Sequence, residues 1–430
     1  MKTTFTFGSW GCGYNLGMAT PSQVAHVLRR TRFSVPSGSF ERYASTDIHD
    51  LVDEQLTDQG WALDVDEAAS RNLDDAEWYT LPAEWMNRLM APDAGLHERM
   101  VWFWHGHFTT NRGETNHRDM WRQHHLVRRH ALGNLRDFAR EIITDAAMLH
   151  FLDGASSRGD APNENFSREF LELFMLGRNQ GYTEQDVRSG ARILAGWSVD
   201  WESGEISFDR EHGYERPVTF LERRERWDLD SYVDAVLDQP ACAEHIASAL
   251  HRHLVSTPLD ADRRAQLGRV LRNNDWEIRP LVSELLHSDD FVEARGHRTC
   301  QPVEWFTAAT AAFGIAGMED KGFEYWQIGQ SGQIPFEPPN VAGWPDDDRW
   351  SSTSQVISRG NAMMHWELAE SVIDRVEPTP DAVLAHCGIA DATQTTRDAM
   401  ERAIDAQTEF SHGLELLLAL ALLSPEFAVI

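Results

Sequence analysis

The sequence predicts a mainly α fold, one large multi-helix, bundle-like domain with a small β hairpin, and three observations carry this. Apolar residues recur at helical spacing along most of the chain. Helix start and stop signals flank many of those stretches. Strand-like alternation is scarce, and its clearest instance is 198–208, where Val199, Trp201, Ile206 and Phe208 flank the turn Glu202-Ser203-Gly204-Glu205. At 42% hydrophobic and 25% charged residues the composition is globular, which excludes a disordered or fibrous chain.

The helical segments follow in order. Residues 21–30 place Val24, Val27 and Leu28 on one stripe behind the start signal Pro21-Ser22. The same pattern predicts helices over 47–56, 96–108, 118–130, 135–150, 165–176, 184–197, 229–237, 243–254, 263–271, 278–286, 302–313, 354–373 and 414–423. The organisation expected is a segment 1–20 followed by a helical domain 21–430, with the charge-rich stretch 209–230 as a hinge candidate. The Pro-rich stretch 333–345 reads as a stiff loop. Leu286-His287-Ser288-Asp289-Asp290-Phe291 echoes Leu422-Leu423-Ser424-Pro425-Glu426-Phe427, a shared helix-ending pattern and not a repeat architecture.

Charge narrows the partners. Asp and Glu number 68 against 39 Lys and Arg, a net charge of −29. Nucleic acid and anionic membrane surfaces are therefore not expected as partners, because both need a basic face. The cysteines Cys12, Cys242, Cys300 and Cys387 form no CxxC pair, so neither a disulfide framework nor a cysteine zinc site is expected. The stretch 1–10 has no apolar signal region. The longest apolar run, 414–423, is broken by Glu415 and is too short to span a bilayer. A cytoplasmic protein is the expectation. The glycines Gly8, Gly11 and Gly13 follow no strand and precede no Lys-Ser/Thr, so they make no phosphate loop.

Four segments carry candidate chemistry. In 162–197, a helix capped by Asn163 or Asn165 and ended by Gly177 is apolar nearly all round, with Phe170, Leu171, Leu173, Phe174, Met175 and Leu176. Arg168, Glu169 and Glu172 share its remaining sector, and a Thr183-x-x-Asp186 capping box opens a second helix bearing Arg188 and Arg192. These charges form either a buried Glu/Arg network or a carboxylate site for a metal or for acid–base work. In 100–108, His105 and His107 flank Gly106 among Trp102 and Trp104. On an unbroken helix the two imidazoles point about 200° apart, and they converge only where the helix breaks at Gly106. In 116–130, His117, Trp121, His124 and Arg128 share a stripe, either a cleft wall for an anionic or sugar-like ligand or a solvated basic face. The loop Pro338-Pro339-Asn340-Val341-Ala342-Gly343-Trp344-Pro345 presents Trp344 to a cavity or plugs a core with it.

These motifs together resemble a known family. Asn163-Glu164-Asn165-Phe166-Ser167-Arg168-Glu169, Glu172-Leu173-Phe174, Leu176-Gly177, Tyr182-Thr183-Glu184 and Gly196-Trp197 look like the signature of the bacterial domain-of-unknown-function family 1800. So do the Trp-His-x-His-Phe motif ending at Phe108, Arg129-His130-Ala131-Leu132-Gly133, and the Pro-Pro-Asn-Val-x-Gly-Trp-Pro loop, all in family order. The resemblance implies a mostly helical fold over roughly residues 20 to 430 and supplies no activity. Many relatives follow the hairpin with a His-Asp pair and a later lysine; here His212-Gly213 and Arg216 stand instead.

The function expected is that of a metal- or carboxylate-dependent hydrolase with a His/Glu site in a helical cleft. Glu169, Glu172, His105 and His107 are its catalytic candidates. His105, His107 and Glu169 would hold a divalent metal. Trp104, His130, Arg168, Arg192, Trp197 and Trp344 are its ligand-contact candidates. The alternative is a non-catalytic binding or assembly protein with a Trp-rich surface for a peptide or carbohydrate, and a structural Glu/Arg network.

Overall fold

Side-chain caps decide where most helices begin. In a computed structural model describing residues 18–58, 73, 76–345, 348–406 and 410–430, helix α1 (Pro21–Thr31) opens on a Thr20/Gln23 capping box. Helix α2 (Ile48–Leu56) opens on Asp47. Two largely buried helices follow, α3 (Thr80–Met90) and α4 (Leu96–His107). Asn116 caps α5 (His117–His130) and Asn134 caps α6 (Leu135–Ile142). The expected helix over 135–150 stops at Ile142, because the Asp145 side chain accepts from the Met148 N–H and starts a separate short helix, Ala146–Phe151.

Helix α7 begins as an α-helix over Asn165–Glu169 and continues as a π-helix over Phe170–Met175, where the Leu176 N–H reaches back to the Leu171 carbonyl. The Thr183/Asp186 box then opens α8 (Glu184–Ile193) as expected. Strands β1 (Trp197–Val199) and β2 (Ile206–Phe208) form the expected hairpin. The stretch 209–230 holds a second hairpin, β3 (Val218–Phe220) with β4 (Arg223–Glu225). It is pinned to α8 because the second oxygen of Asp186 accepts from the Leu221 N–H.

The remaining longer helices are α9 (Leu229–Leu237), α10 (Pro240–Leu254), α11 (Ala261–Asn273), α12 (Ile278–Leu286), α13 (Pro302–Phe313), α14 (Lys321–Gln330), α15 (Thr353–Met363), α16 (Pro380–His386), α17 (Gln394–Asp405) and α18 (Phe410–Leu422). The fold is mainly α with two small hairpins among the described residues. None of the described helices is long and apolar enough to cross a membrane. Cys12 and the glycines Gly8, Gly11 and Gly13 lie outside the described residues; Cys242, Cys300 and Cys387 are buried free thiols. The two echoing segments adopt one turn: Ser288 accepts from the Phe291 N–H and Ser424 from the Phe427 N–H. Both phenylalanine carbonyls then bind α1, through His26 and Arg29.

One helix organises this packing. Helix α4 is buried on almost every side, yet it carries Glu98, Arg99, His105, His107 and two tryptophans. Glu98 meets Arg88 of α3 and Arg128 of α5. Arg99 meets Glu304 of α13, which also pairs with Arg298. Trp102 Nε1–H donates to Gln301 at 3.1 Å, and Trp104 Nε1–H to the Ala131 carbonyl at 2.9 Å. The buried Glu/Arg networks thus centre on Glu98 and Glu304, and not on Glu169 and Glu172.

Removing Glu304 would leave Arg99 and Arg298 buried without their carboxylate. Glu304→Ala is expected to cost about 3–5 kcal/mol, measured by urea denaturation. A loss below about 1 kcal/mol, the range of exposed pairs, would show that the triad is not a tertiary tie.

Candidate functional site

Three of the sequence motifs converge where α4 ends. Helix α4 stays unbroken through Gly106, so His105 and His107 leave it on opposite sides. Next to Gly106 lies Gly343 of the proline-rich loop, with φ +78°; a Cβ there would fall 2.5 Å from the Gly106 carbonyl oxygen, so only glycine lets the loop close against the helix. Trp344 then stacks on Trp102, ring centroids 5.1 Å apart. His105 faces this loop. Its Nε2 accepts from the Phe336 N–H at 3.1 Å, and its ring sits among Trp85, Trp102, Phe336 and Trp344.

His107 faces the opposite way, toward the π-helical end of α7. Carbonyls at a helix C-terminus lack intrahelical donors. Here two histidines supply them: His107 Nε2–H donates to the Phe174 carbonyl at 2.7 Å, and His245 Nε2–H of α10 to the Leu173 carbonyl at 2.8 Å. A carbonyl can only accept, so Nε2 carries the proton in both rings and Nδ1 keeps its lone pair. No hydrogen bond among the described residues engages either Nδ1. The rings are 5.9 Å apart. Gly177, at φ +87°, keeps one of them open, since a Cβ at that position would sit 3.0 Å from His245 Nδ1.

Both histidines line an open cleft of about 530 Å³ between α4, α7, α10 and the Trp344 loop. Glu172 and Arg178 form one wall as an ion pair of 2.9 Å; Glu244 and Arg264 form another at 3.3 Å. Arg252, also on the wall, joins no ion pair among the described residues and is exposed. Two further polar atoms in the lining are buried without a partner among the described residues, Trp344 Nε1–H and His253 Nε2. Burial lowers the His107 pKa to about 3 and holds His245 and His253 below their ordinary value as well. The imidazoles are neutral acceptors at neutral pH.

The expected site residues divide accordingly. His107, Glu172 and Trp344 come together in the cleft. His105 does not; its lone pair is taken by a backbone N–H, and burial lowers its pKa to about 3. Glu169, half-buried, lies outside the cleft lining, with its pKa raised by burial and by Glu172. Among the described residues no three His, Cys, Asp or Glu side chains converge on a metal position, so His105, His107 and Glu169 are not a ligand set. Trp104 is core. His130 stacks on Phe138 and meets Glu141 at 3.1 Å. Arg168 is held by Glu184 and Glu164, Arg192 lies over Tyr214, and Trp197 packs on Phe208 within the hairpin. The stripe on α5 is neither a cleft wall nor a solvated face at His124 and Arg128, which are buried, Arg128 against Glu98. Sequence reading missed His245, Arg252 and His253. Their only local signal was three histidines at 245, 251 and 253 in an otherwise ordinary amphipathic helix.

The fold and the cleft define a mainly α protein with an imidazole- and carboxylate-lined site between helices. Residues 26–429 match the family described as Protein of unknown function (DUF1800), and the chain belongs to that family. No curated protein and no solved structure matches it.

The buried imidazoles set a pH dependence. His26, His105 and His107 titrate near 3 when folded, chiefly through desolvation, and near 6.5 when unfolded. Between those values the unfolded chain binds more protons, so their stabilisation is complete above about pH 6.5 and lost as pH falls toward 3, at up to about 1.4 kcal/mol per pH unit for each ring. Burial pushes Asp145 and Glu324 up to about 7, which acts in the opposite sense. His124 and His253, lowered well below 6.5, side with the first three and keep the sign. The urea midpoint should therefore fall between about pH 7 and pH 4.5. A constant midpoint over that range would contradict the neutral assignment.

Proposed function

We propose that the chain is a carboxylate- and imidazole-dependent hydrolase whose site is the cleft between α4, α7 and α10. The observation that carries this reading is the pair of Nε2-protonated histidines, His107 and His245, which offer Nδ1 lone pairs beside a water-accessible cleft that also holds Glu172. A water in the cleft gives its proton to Nδ1 as its oxygen bonds to the acyl or phosphoryl centre, and Nδ1 returns that proton to the leaving oxygen as the ester bond breaks, while Nε2–H stays on the π-helix carbonyl and holds the ring in place. A pKa lowered to about 3 makes His107 a weak base, and burial lowers His245 in the same direction, but an anion in the cleft favours the imidazolium and raises both. Arg252, without an ion-pair partner among the described residues, is the group to receive such an anion. Entry of an anionic substrate and strengthening of the base are thereby one event. Trp344 Nε1–H and His253 Nε2 supply further polar contacts to a bound molecule.

The metal-dependent form of the expectation has no ligand set behind it among the described residues. The non-catalytic alternative would leave the cleft as a binding site for a peptide or carbohydrate against Trp344.

The test is turnover of p-nitrophenyl carboxylate and phosphate esters by wild type, His107→Gln, His245→Gln and Glu172→Gln. Expected is hydrolysis that survives EDTA and falls at least about 10²-fold in each variant, the usual weight of a general base. Loss on chelation would restore the metal reading, and no turnover of either ester class by folded wild type would favour the binding reading. Stability separates fold from function here. Glu172 pairs with Arg178, whose side chain is 70% exposed, so Glu172→Ala strands no buried charge and should cost about 1 kcal/mol or less.

A further inference from the structure

A second cavity, of about 390 Å³, lies between the end of α1, α4, α13 and the last residues of the described chain. Its walls are mostly apolar, including Phe33, Val35, Ala308, Ala312, Ile315 and Val372. Its mouth is at Pro36, Ser37 and Ser371, which are exposed. One end is different: Arg29 and Arg99 line it, backed by the buried Arg30 and Arg298. Among the described residues Glu304 is the one carboxylate that pairs with any of these four guanidiniums, and it reaches Arg99 and Arg298. Arg99 is 1% exposed and lines the cavity, and its Nε–H has no acceptor among the described residues. Buried guanidinium groups in excess of carboxylates, with an unused donor, are costly unless an anion joins them. A cavity of a few hundred Å³ with apolar walls and a few convergent polar groups is the common form of a small-molecule site.

We propose that this cavity binds an aliphatic carboxylate of medium chain length, its carboxylate on Arg29 and Arg99 and its chain along the alanine-rich face of α13. Arg29 already gives two of its N–H groups to the carbonyls of Glu426 and Phe427, which fixes the guanidinium at the cavity end. The alanines Ala308, Ala311 and Ala312 make room for the chain on one side of α13. His386, at the wall, keeps a buried Nδ1 without a partner among the described residues and so offers a further polar contact.

The probe is decanoate, titrated calorimetrically below its micellar concentration, with decanol as the uncharged control. Wild type is expected to bind decanoate saturably at one site, at least about tenfold more tightly than decanol, which is 1.4 kcal/mol. Arg29→Gln should weaken decanoate at least about tenfold and leave decanol unchanged. Ala312→Phe should abolish both by filling the cavity. Ala311→Leu, at a half-buried wall position, should weaken both and serves if the first filling variant does not fold, as judged by near-ultraviolet circular dichroism. Glu172→Gln should bind decanoate as wild type does, which separates this cavity from the cleft. No saturable binding by the folded wild type, or binding indifferent to both Arg29→Gln and the filling variants, would overturn the assignment.

Discussion

Helix α4 buries charged and polar side chains inside the core, and the rest of the structure is arranged to bring each of its ionic and tryptophan side chains a partner. A helix apolar on one stripe can lie at the edge of a core. Helix α4 instead sits inside one, and each polar side chain on it needs its own partner from a different direction. Arg88, Arg128, Glu304, Gln301, the Ala131 carbonyl, the Phe336 N–H and the Phe174 carbonyl are those partners. They come from five separate stretches of chain, so satisfying α4 fixes α3, α5, α7, α13 and the proline-rich loop about a single axis. The cleft is a by-product of this arrangement at the helix C-terminus, where α4 and α10 both reach for carbonyls that the π-turn of α7 leaves without donors.

Much of this was legible in the sequence wherever the cause is local. The Thr183/Asp186 box, the left-handed Gly177 and the hairpin at 198–208 follow from two to four neighbouring residues each, and the structure has them. The family resemblance marked the segments that meet at α4, although nothing in their spacing says that they meet. What escaped is what distant residues decide. His105 and His107 look equivalent in Trp-His-Gly-His-Phe, but the Phe336 N–H donates to the lone pair of one and the Phe174 carbonyl accepts from the N–H of the other. His245 and His253 carry no motif; they join the cleft because α10 packs on the end of α7. The stretch 209–230 reads as a polar linker because in its second hairpin only Val218, Phe220 and Leu221 are buried, too few to form a pattern. The helix break before Ala146 hides for a subtler reason: the residues on both sides are apolar at helical spacing, and one aspartate cap outweighs that periodicity.

The two cavities share a wall. Gln301 borders the cleft, while Cys300 and Glu304 border the second cavity, and the Gln301 N–H donates to Glu304 at 2.8 Å. Gln301 also accepts from Trp102 and from Gln333, so the segment leading into α13 is held by hydrogen bonds on both faces. A neutral amide sits in the middle of this network and a charged triad at its edge. This ordering keeps the unshielded charges on the side of the second cavity and leaves the cleft wall, at that point, uncharged.

The separation in sequence between α4 and its partners bears on how the chain is made. Arg99 is 205 residues from Glu304, Trp102 is 199 from Gln301, and His105 is 231 from Phe336. At a synthesis rate of about 5–20 residues per second, α4 leaves the ribosome roughly 10–40 seconds before those partners exist. During that interval its arginine and tryptophans face water or a transient binder, and no N-terminal portion ending before residue 304 can complete its own centre. Completing the surroundings of α4 therefore waits for residues 301–336, in the last third of the sequence.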